Sequence, residues 1–228
     1  MPQVYLSLLR LEPRRRDVQH DLGNCYDMHR RVLSAFPDQS ATIHAREQFG
    51  VLYRVEQGND NVRVLVQSLH VPDWSRLPAG YVAHAVAVKS VREAYESIRN
   101  GMELLFRLRA NPVKRISDRN VTQDERWRGK RVELRREEDQ LDWLQRKGEA
   151  AGFRLVAVRT HPNVADVRLR DVAGTVVGIS GARRLTFASV LFDGRLRVAD
   201  ADLFRQALEA GIGSAKAFGF GLLSVAPC

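Results

Sequence analysis

The sequence predicts an α+β protein made of two similar units in tandem, and three observations carry that prediction. Short alternating apolar segments recur along the 228 residues, separated by helical segments and turn-forming clusters. Their order in the first half is strand, helix, strand, strand, short helix, strand, and the second half rhymes with it. A balance of 44% hydrophobic and 28% charged residues is that of a globular chain long enough to bury a core. The order is the ferredoxin-like (RRM-like) pattern. The predicted units are residues 1–92 and 93–228.

The first unit opens on Val4–Leu11, an alternating strand ended by Glu12-Pro13. A helix is expected from Asn24, a good N-cap, with Asp27 completing a capping box. Cys25, Met28, Val32, Ala35 and Phe36 then fall on one face, and Pro37 stops the helix. Val51–Glu56 and Val62–Leu69 read as strands around the turn chemistry of Gly58-Asn59-Asp60-Asn61. Pro72–Ser75 reads as a turn or short helix, and Tyr81–Val88 as a fourth strand. In the second unit, Glu103–Ala110 is a strand with Leu104, Phe106 and Leu108 on one face and Arg107 and Arg109 on the other. Ser117–Arg128 reads as a loop, and Glu137–Ala151 as a helix closed by Gly152. Phe153–Arg159, Val164–Asp171, Thr175–Ile179 and Leu185–Val198 read as strands, the last turning at Asp193-Gly194. A helix capped by Asp200 and a closing strand, Leu222–Val225, complete the unit.

Composition narrows the function. No apolar run reaches the length of a membrane span, and the N-terminal apolar stretch precedes its arginine cluster, the reverse of a secretory signal. Two cysteines, Cys25 and Cys228, make no disulfide framework, so a reducing cytoplasm is expected. The net charge is +9, and residues 99–136 hold 12 basic against 5 acidic side chains, most of the excess. Clustered Lys and Arg neutralise phosphates and release counterions, so a polyanion is the expected partner; a solvated basic loop is the alternative.

Tyr26 and His29 stand at i and i+3 on the first predicted helix, at the edge of its apolar stripe. Histidine exchanges a proton near neutral pH, and a tyrosine hydroxyl can orient a phosphate oxygen. Alone, such a histidine is more often a boundary residue satisfied by the backbone. Cys25 and His29 at i and i+4 lack the second pair that a metal site needs. Gly211-Ile212-Gly213-Ser214-Ala215-Lys216-Ala217-Phe218-Gly219-Phe220-Gly221 offers flexible backbone N–H groups and a point charge at Lys216. It lacks Walker spacing, and Lys216–Phe220 loosely mimics an RNA-recognition strand. Asp200-Ala201-Asp202 is explained by helix capping.

Several of these segments, in order along the chain, resemble the CasE family of type I-E CRISPR RNA-processing endoribonucleases. They are the N-terminal strand, Asp21–Arg30, Pro72-Asp73-Trp74, Leu108–Arg115 and Gly211–Pro227. The resemblance implies tandem ferredoxin-like domains, a CRISPR repeat RNA hairpin as substrate, and crRNA retained within Cascade beside its other subunits. It implies catalytic roles for His29 and Tyr26 and RNA binding by Gly213, Ser214 and Lys216, with Arg183 and Arg184 on a basic hairpin that enters the RNA groove. Arg30, Arg107, Arg109, Lys114 and Arg115 are further expected RNA contacts. Neither metal nor cofactor is expected. Cys25 stands where the family usually has Pro, a change that a first helical position tolerates. Ser214 stands where a basic residue is frequent. The expected chemistry is attack by the ribose 2′-OH on the adjacent phosphate, leaving 5′-hydroxyl and 2′,3′-cyclic phosphate ends. A hairpin-binding module without catalysis is the alternative; a metal-dependent nuclease would need a carboxylate cluster that the sequence lacks.

Overall fold

The computed structural model describes residues 3–37, 45–58, 61–116, 131–158, 161–180 and 183–228. The first half contains β1 (Tyr5–Leu11), α1 (Arg16–Gly23), α2 (Cys25–Leu33), α3 (Ala45–Gln48), β2 (Leu52–Gln57), β3 (Val62–Ser68) and β4 (Ala87–Ser90). Its strands form one antiparallel sheet in the order β2-β3-β1-β4, the ferredoxin-like order. Strand alternation explains its core: Leu9, Leu11, Val62, Val64 and Val66 face the helices, where Met28, Val32, Ala35 and Phe36 meet them. A short 3₁₀ turn, Trp74–Arg76, stands in place of a full second helix.

A short helix, α4 (Arg92–Glu96), leads into the second half. There follow β5 (Glu103–Ala110), β6 (Val113–Arg115), β7 (Arg131–Glu133), α5 (Glu137–Ala150), β8 (Phe153–Leu155), β9 (Ala157–Val158), β10 (His161–Ala165), β11 (Val167–Ser180), β12 (Arg183–Val198), α6 (Ala201–Ala210) and β13 (Leu223–Pro227). The second sheet runs β11-β12-β5-β13, with β8 on the same edge of β12 as β11. The topology therefore repeats, and the chain is a tandem of ferredoxin-like units. Phe106, Leu108, Phe153, Phe192, Phe204 and Leu208 build its core, which also takes in Val4 just ahead of β1 and Val91 and Tyr95 from around α4.

Three expected elements differ. The fourth strand is Ala87–Ser90 rather than Tyr81–Val88, because Tyr81 turns inward to donate its hydroxyl to the Asp21 carboxylate (2.8 Å); Val82 keeps only a single bridge to Leu11. No hairpin turns at Asp193-Gly194: β12 runs straight through, and Gly194 is required because a Cβ there would lie 2.4 Å from the Asp166 carbonyl oxygen. β11 is one strand whose register shifts between Asp171 and Thr175. The predicted loop Ser117–Arg128 lies outside the described residues.

The units meet through buried polar groups. Arg54, 4% exposed at its side chain, donates from Nη1 to the carbonyls of Arg107 (3.3 Å) and Leu222 (3.2 Å). Gln67 donates to the Leu208 carbonyl (2.9 Å) and accepts from the Tyr95 hydroxyl (2.7 Å).

Candidate active site

α2 begins where expected: the Asn24 side chain accepts from the Tyr26 N–H at 3.2 Å. His29 stands one turn on. Its ring lies nearly parallel to Tyr53 of β2, at 6.5 Å between centroids, and edge-on to Phe218 at 6.3 Å. Its Nδ1 is buried and has no hydrogen-bond partner among the described residues. Burial, and secondarily the positive charge of Arg46, push the imidazole down from 6.5 to about 4. The ring is therefore neutral near pH 7.

Phe218 belongs to the glycine-rich segment, which docks on α2 rather than forming a strand. Lys216–Phe218 is a 3₁₀ turn, so the likeness of Lys216–Phe220 to an RNA-recognition strand does not hold. Gly211, Gly213, Gly219 and Gly221 all take positive φ. Gly213 also lets the loop meet α5, since a Cβ there would stand 3.0 Å from the Trp143 ring. The Tyr53 hydroxyl fastens the loop, donating to the Ala217 carbonyl (3.1 Å) and lying 3.4 Å from the Cys25 carbonyl at the start of α2. Phe187 of β12 stacks on Phe218 from the other side, 5.0 Å between centroids.

Cations gather around this seam. Lys216 donates to the Ala210 carbonyl at 2.7 Å, and its ammonium is lowered by burial and by the charges of Arg46 and Lys147. Arg46 comes from the first unit. Lys147 comes from the second, one turn beyond Trp143 on α5, the face that meets the loop. Sequence reading missed Arg46, Lys147, Tyr53 and Phe218. Nothing local marks them: the packing of the first unit brings Tyr53 and Arg46 to His29, while the docking of the second brings Phe218 to His29 and Lys147 to Lys216.

The other expected contacts divide. Gly213, Ser214 and Lys216 lie in the glycine-rich segment, whose 3₁₀ turn packs on α2, the helix that carries Tyr26 and His29. Arg30 lies on the exposed side of α2, 72% exposed, with Nη1 3.8 Å from Asp27. Lys114 and Arg115 are exposed on β6, paired in register with β7. Arg183 and Arg184 open β12 opposite Ser180 and Ile179, at the end of a long two-stranded arm that passes beside α2. Arg109 is a correction. It is 8% exposed, with Nε on the Ser189 hydroxyl (2.8 Å), Nη1 on the Val55 carbonyl (3.3 Å) and its guanidinium over Phe220. Both of these donors are directed inside the protein. Arg107 is half-buried and bound through two nitrogens to Asp193 (2.6 and 3.1 Å). Among the described residues no group of three or more His, Cys, Asp or Glu is placed to hold a metal.

Fold and site together define a class: tandem ferredoxin-like proteins with a buried histidine in the seam between units, beside a glycine-rich loop. The chain belongs to the CRISPR-associated protein family, whose model, described as "CRISPR associated protein", matches residues 4–227. It is 36% identical over 228 residues to the "CRISPR-associated endoribonuclease Cse3" of Thermus thermophilus, covering 98% of this chain and 100% of that one. It is 35% identical to the "CRISPR system Cascade subunit CasE" of Escherichia coli, covering 89% of this chain and 92% of that one. Among solved structures it is similar to Thermus thermophilus Cse3 "bound to an RNA representing a pre-cleavage complex". There the TM-score is 0.79 and the identity 36%, covering 99% of this chain and 100% of that one.

Proposed function

We propose that this chain is an endoribonuclease that cuts CRISPR repeat RNA beside its hairpin and keeps the crRNA product as a subunit of Cascade, in the cytoplasm. The two units divide at residues 92/93. The observation that carries the reading is the seam itself: a neutral histidine held between Tyr53 and Phe218, facing a glycine-rich loop and cations from both units. The named activities of its full-length relatives point the same way.

The reaction is transesterification. The ribose 2′-oxygen forms a bond to the adjacent phosphorus, and the bond from phosphorus to the 5′-oxygen breaks. One proton leaves the 2′-OH and one reaches the 5′-oxygen. The nucleophile belongs to the substrate, so holding it in line with the leaving oxygen supplies much of the acceleration, and the step calls for no metal ion. His29 is in the right state to accept a proton. A bound phosphate, set against Arg46, raises its basicity toward the useful range. Tyr26 orients the attacking group or phosphate, while Lys216 and the loop N–H groups around Gly213 and Ser214 stabilise charge that develops on the phosphate. Lys114, Arg115, Arg183, Arg184 and Arg30 contact the RNA outside the reacting phosphate.

His29→Ala should lower cleavage of repeat RNA by at least ~10²-fold with little change in affinity. Wild-type cleavage should persist in EDTA. Undiminished cleavage by the variant removes the histidine from the mechanism, and loss in EDTA replaces the mechanism with metal-assisted hydrolysis.

A further inference from the structure

A band of charge crosses the helix-free faces of both sheets, away from His29. Its residues follow from strand register. On the first sheet Arg10, Arg63 and Glu56 are direct cross-strand partners on β1, β3 and β2. On the second, Arg107, Asp193 and Arg168 are direct partners on β5, β12 and β11. The ion pair of Arg107 with Glu56, at 3.4 Å, joins the two rows across the seam between units.

The band is neutralised only in its middle. Glu56 takes Arg54 and Arg107, and Asp193 takes Arg107 and Arg170. The ends are bare. Arg10 and Arg63 stand opposite each other, exposed, and neither makes an ion pair among the described residues. Like charges directly opposite on a sheet cost stability. They share a groove of about 460 Å³ with Arg14 and His84. At the other end Arg168 is exposed and likewise makes no ion pair among the described residues, in a groove of about 1070 Å³. Elsewhere the chain matches arginines to carboxylates closely, as at Arg15–Asp17, Arg31–Asp21, Arg92–Glu209 and Arg195–Glu103.

We infer that this band binds the phosphate backbone of a single RNA strand that continues from the hairpin, entering at Arg10 and Arg63 and leaving at Arg168. The inference rests on the RNA-cleaving reading of the chain. Charge complementarity selects the occupant: unpaired guanidinium groups lie at both ends, and the planar groups suit phosphate oxygens. Its ends present guanidinium groups, which hold phosphates and carry no sequence information by themselves, so the band holds backbone rather than reading base sequence.

The test uses the full chain and three RNAs: the repeat hairpin alone, the hairpin with a 5′ oligouridine tail, and the hairpin with a 3′ oligouridine tail. Wild type should bind one tailed RNA more tightly than the bare hairpin. The double variant Arg10→Gln/Arg63→Gln and the single variant Arg168→Gln should each lose that preference in part. Each lost contact should reduce the magnitude of the log–log salt slope by about 0.7. Both variants should cut the bare hairpin at the wild-type rate, and the double variant should melt no lower than wild type, since it removes a repulsion. Equal wild-type affinity for all three RNAs overturns the inference, as does an intact tail preference in both variants. Failure of wild type to cut the bare hairpin strikes instead at the proposed function, and the tail comparison is read separately from it.

Discussion

Tyr53→Phe separates the fastening of the site from its chemistry. The Tyr53 side chain is fully buried, and its single hydroxyl proton is directed at the Ala217 carbonyl (3.1 Å), with the Cys25 carbonyl farther off at 3.4 Å. Removing the oxygen keeps the ring against His29 and deletes one net hydrogen bond, worth about 1 kcal/mol. For a chain of this size that is a fall of roughly 2–4 °C in melting temperature. The same bond sets the loop against α2, so about 1 kcal/mol of looser positioning slows cleavage by roughly five- to tenfold, a factor of ten being 1.4 kcal/mol. Affinity for the cleaved hairpin should hardly change. Thermal melts and single-turnover cleavage on repeat RNA make the comparison. A lowered melting point with wild-type cleavage would mean that the hydroxyl only stabilises the fold, and that the loop's position does not govern the reaction.

Two further outcomes follow from burial. His29 is pushed down to about 4 from 6.5, so between these values the unfolded chain holds the extra proton and stability rises with pH. Free protein should lose up to about 3 kcal/mol on acidification from pH 7 to 4 through this group, at 1.36 kcal/mol per pH unit. His29→Gln should lack that part of the acid sensitivity in urea titrations; an identical pH dependence in both proteins would contradict the buried, neutral ring. Arg109→Leu should lower stability by about 1–3 kcal/mol, because the Val55 carbonyl and Ser189 hydroxyl lose their partner, yet leave the salt slope of RNA binding unchanged. A flatter slope would put Arg109 on the RNA after all.

The fold was legible where pattern and packing agree. Glu103–Ala110 alternates because one face is core, and Asn24 and Asp200 start helices because their side chains accept N–H groups that the helix leaves unpaired. Misreadings arose where a residue served a distant partner. Tyr81 continues an apolar alternation, but its hydroxyl is drawn to Asp21 sixty residues away, and the strand forms later. Asp193-Gly194 has the chemistry of a turn, yet Asp193 is spent on Arg107 and Arg170 while Gly194 admits a neighbouring backbone. Arg109 looks like part of a basic surface because local sequence does not show which strand face another unit will cover. That Tyr26 and His29 share one helix, and that the glycine-rich segment bends tightly, were legible from spacing; catalytic and binding roles for them came only from the family resemblance. Arg46, Lys147, Tyr53 and Phe218 were not, because Tyr53 and Arg46 reach His29 only through the tertiary packing of the first unit, and Phe218 and Lys147 reach the site only after the units dock.

The central claim is that the substrate's own 2′-oxygen attacks the phosphate held at His29. Its most direct test is a repeat RNA carrying one 2′-deoxy sugar immediately upstream of the scissile phosphate, assayed for binding and cutting with and without EDTA. Affinity comes from many backbone and hairpin contacts, so the RNA should bind almost as tightly as the unmodified one. It should remain uncut in both conditions. Cleavage of the deoxy RNA at the normal rate would contradict the account, since only an attacking water can dispense with that hydroxyl.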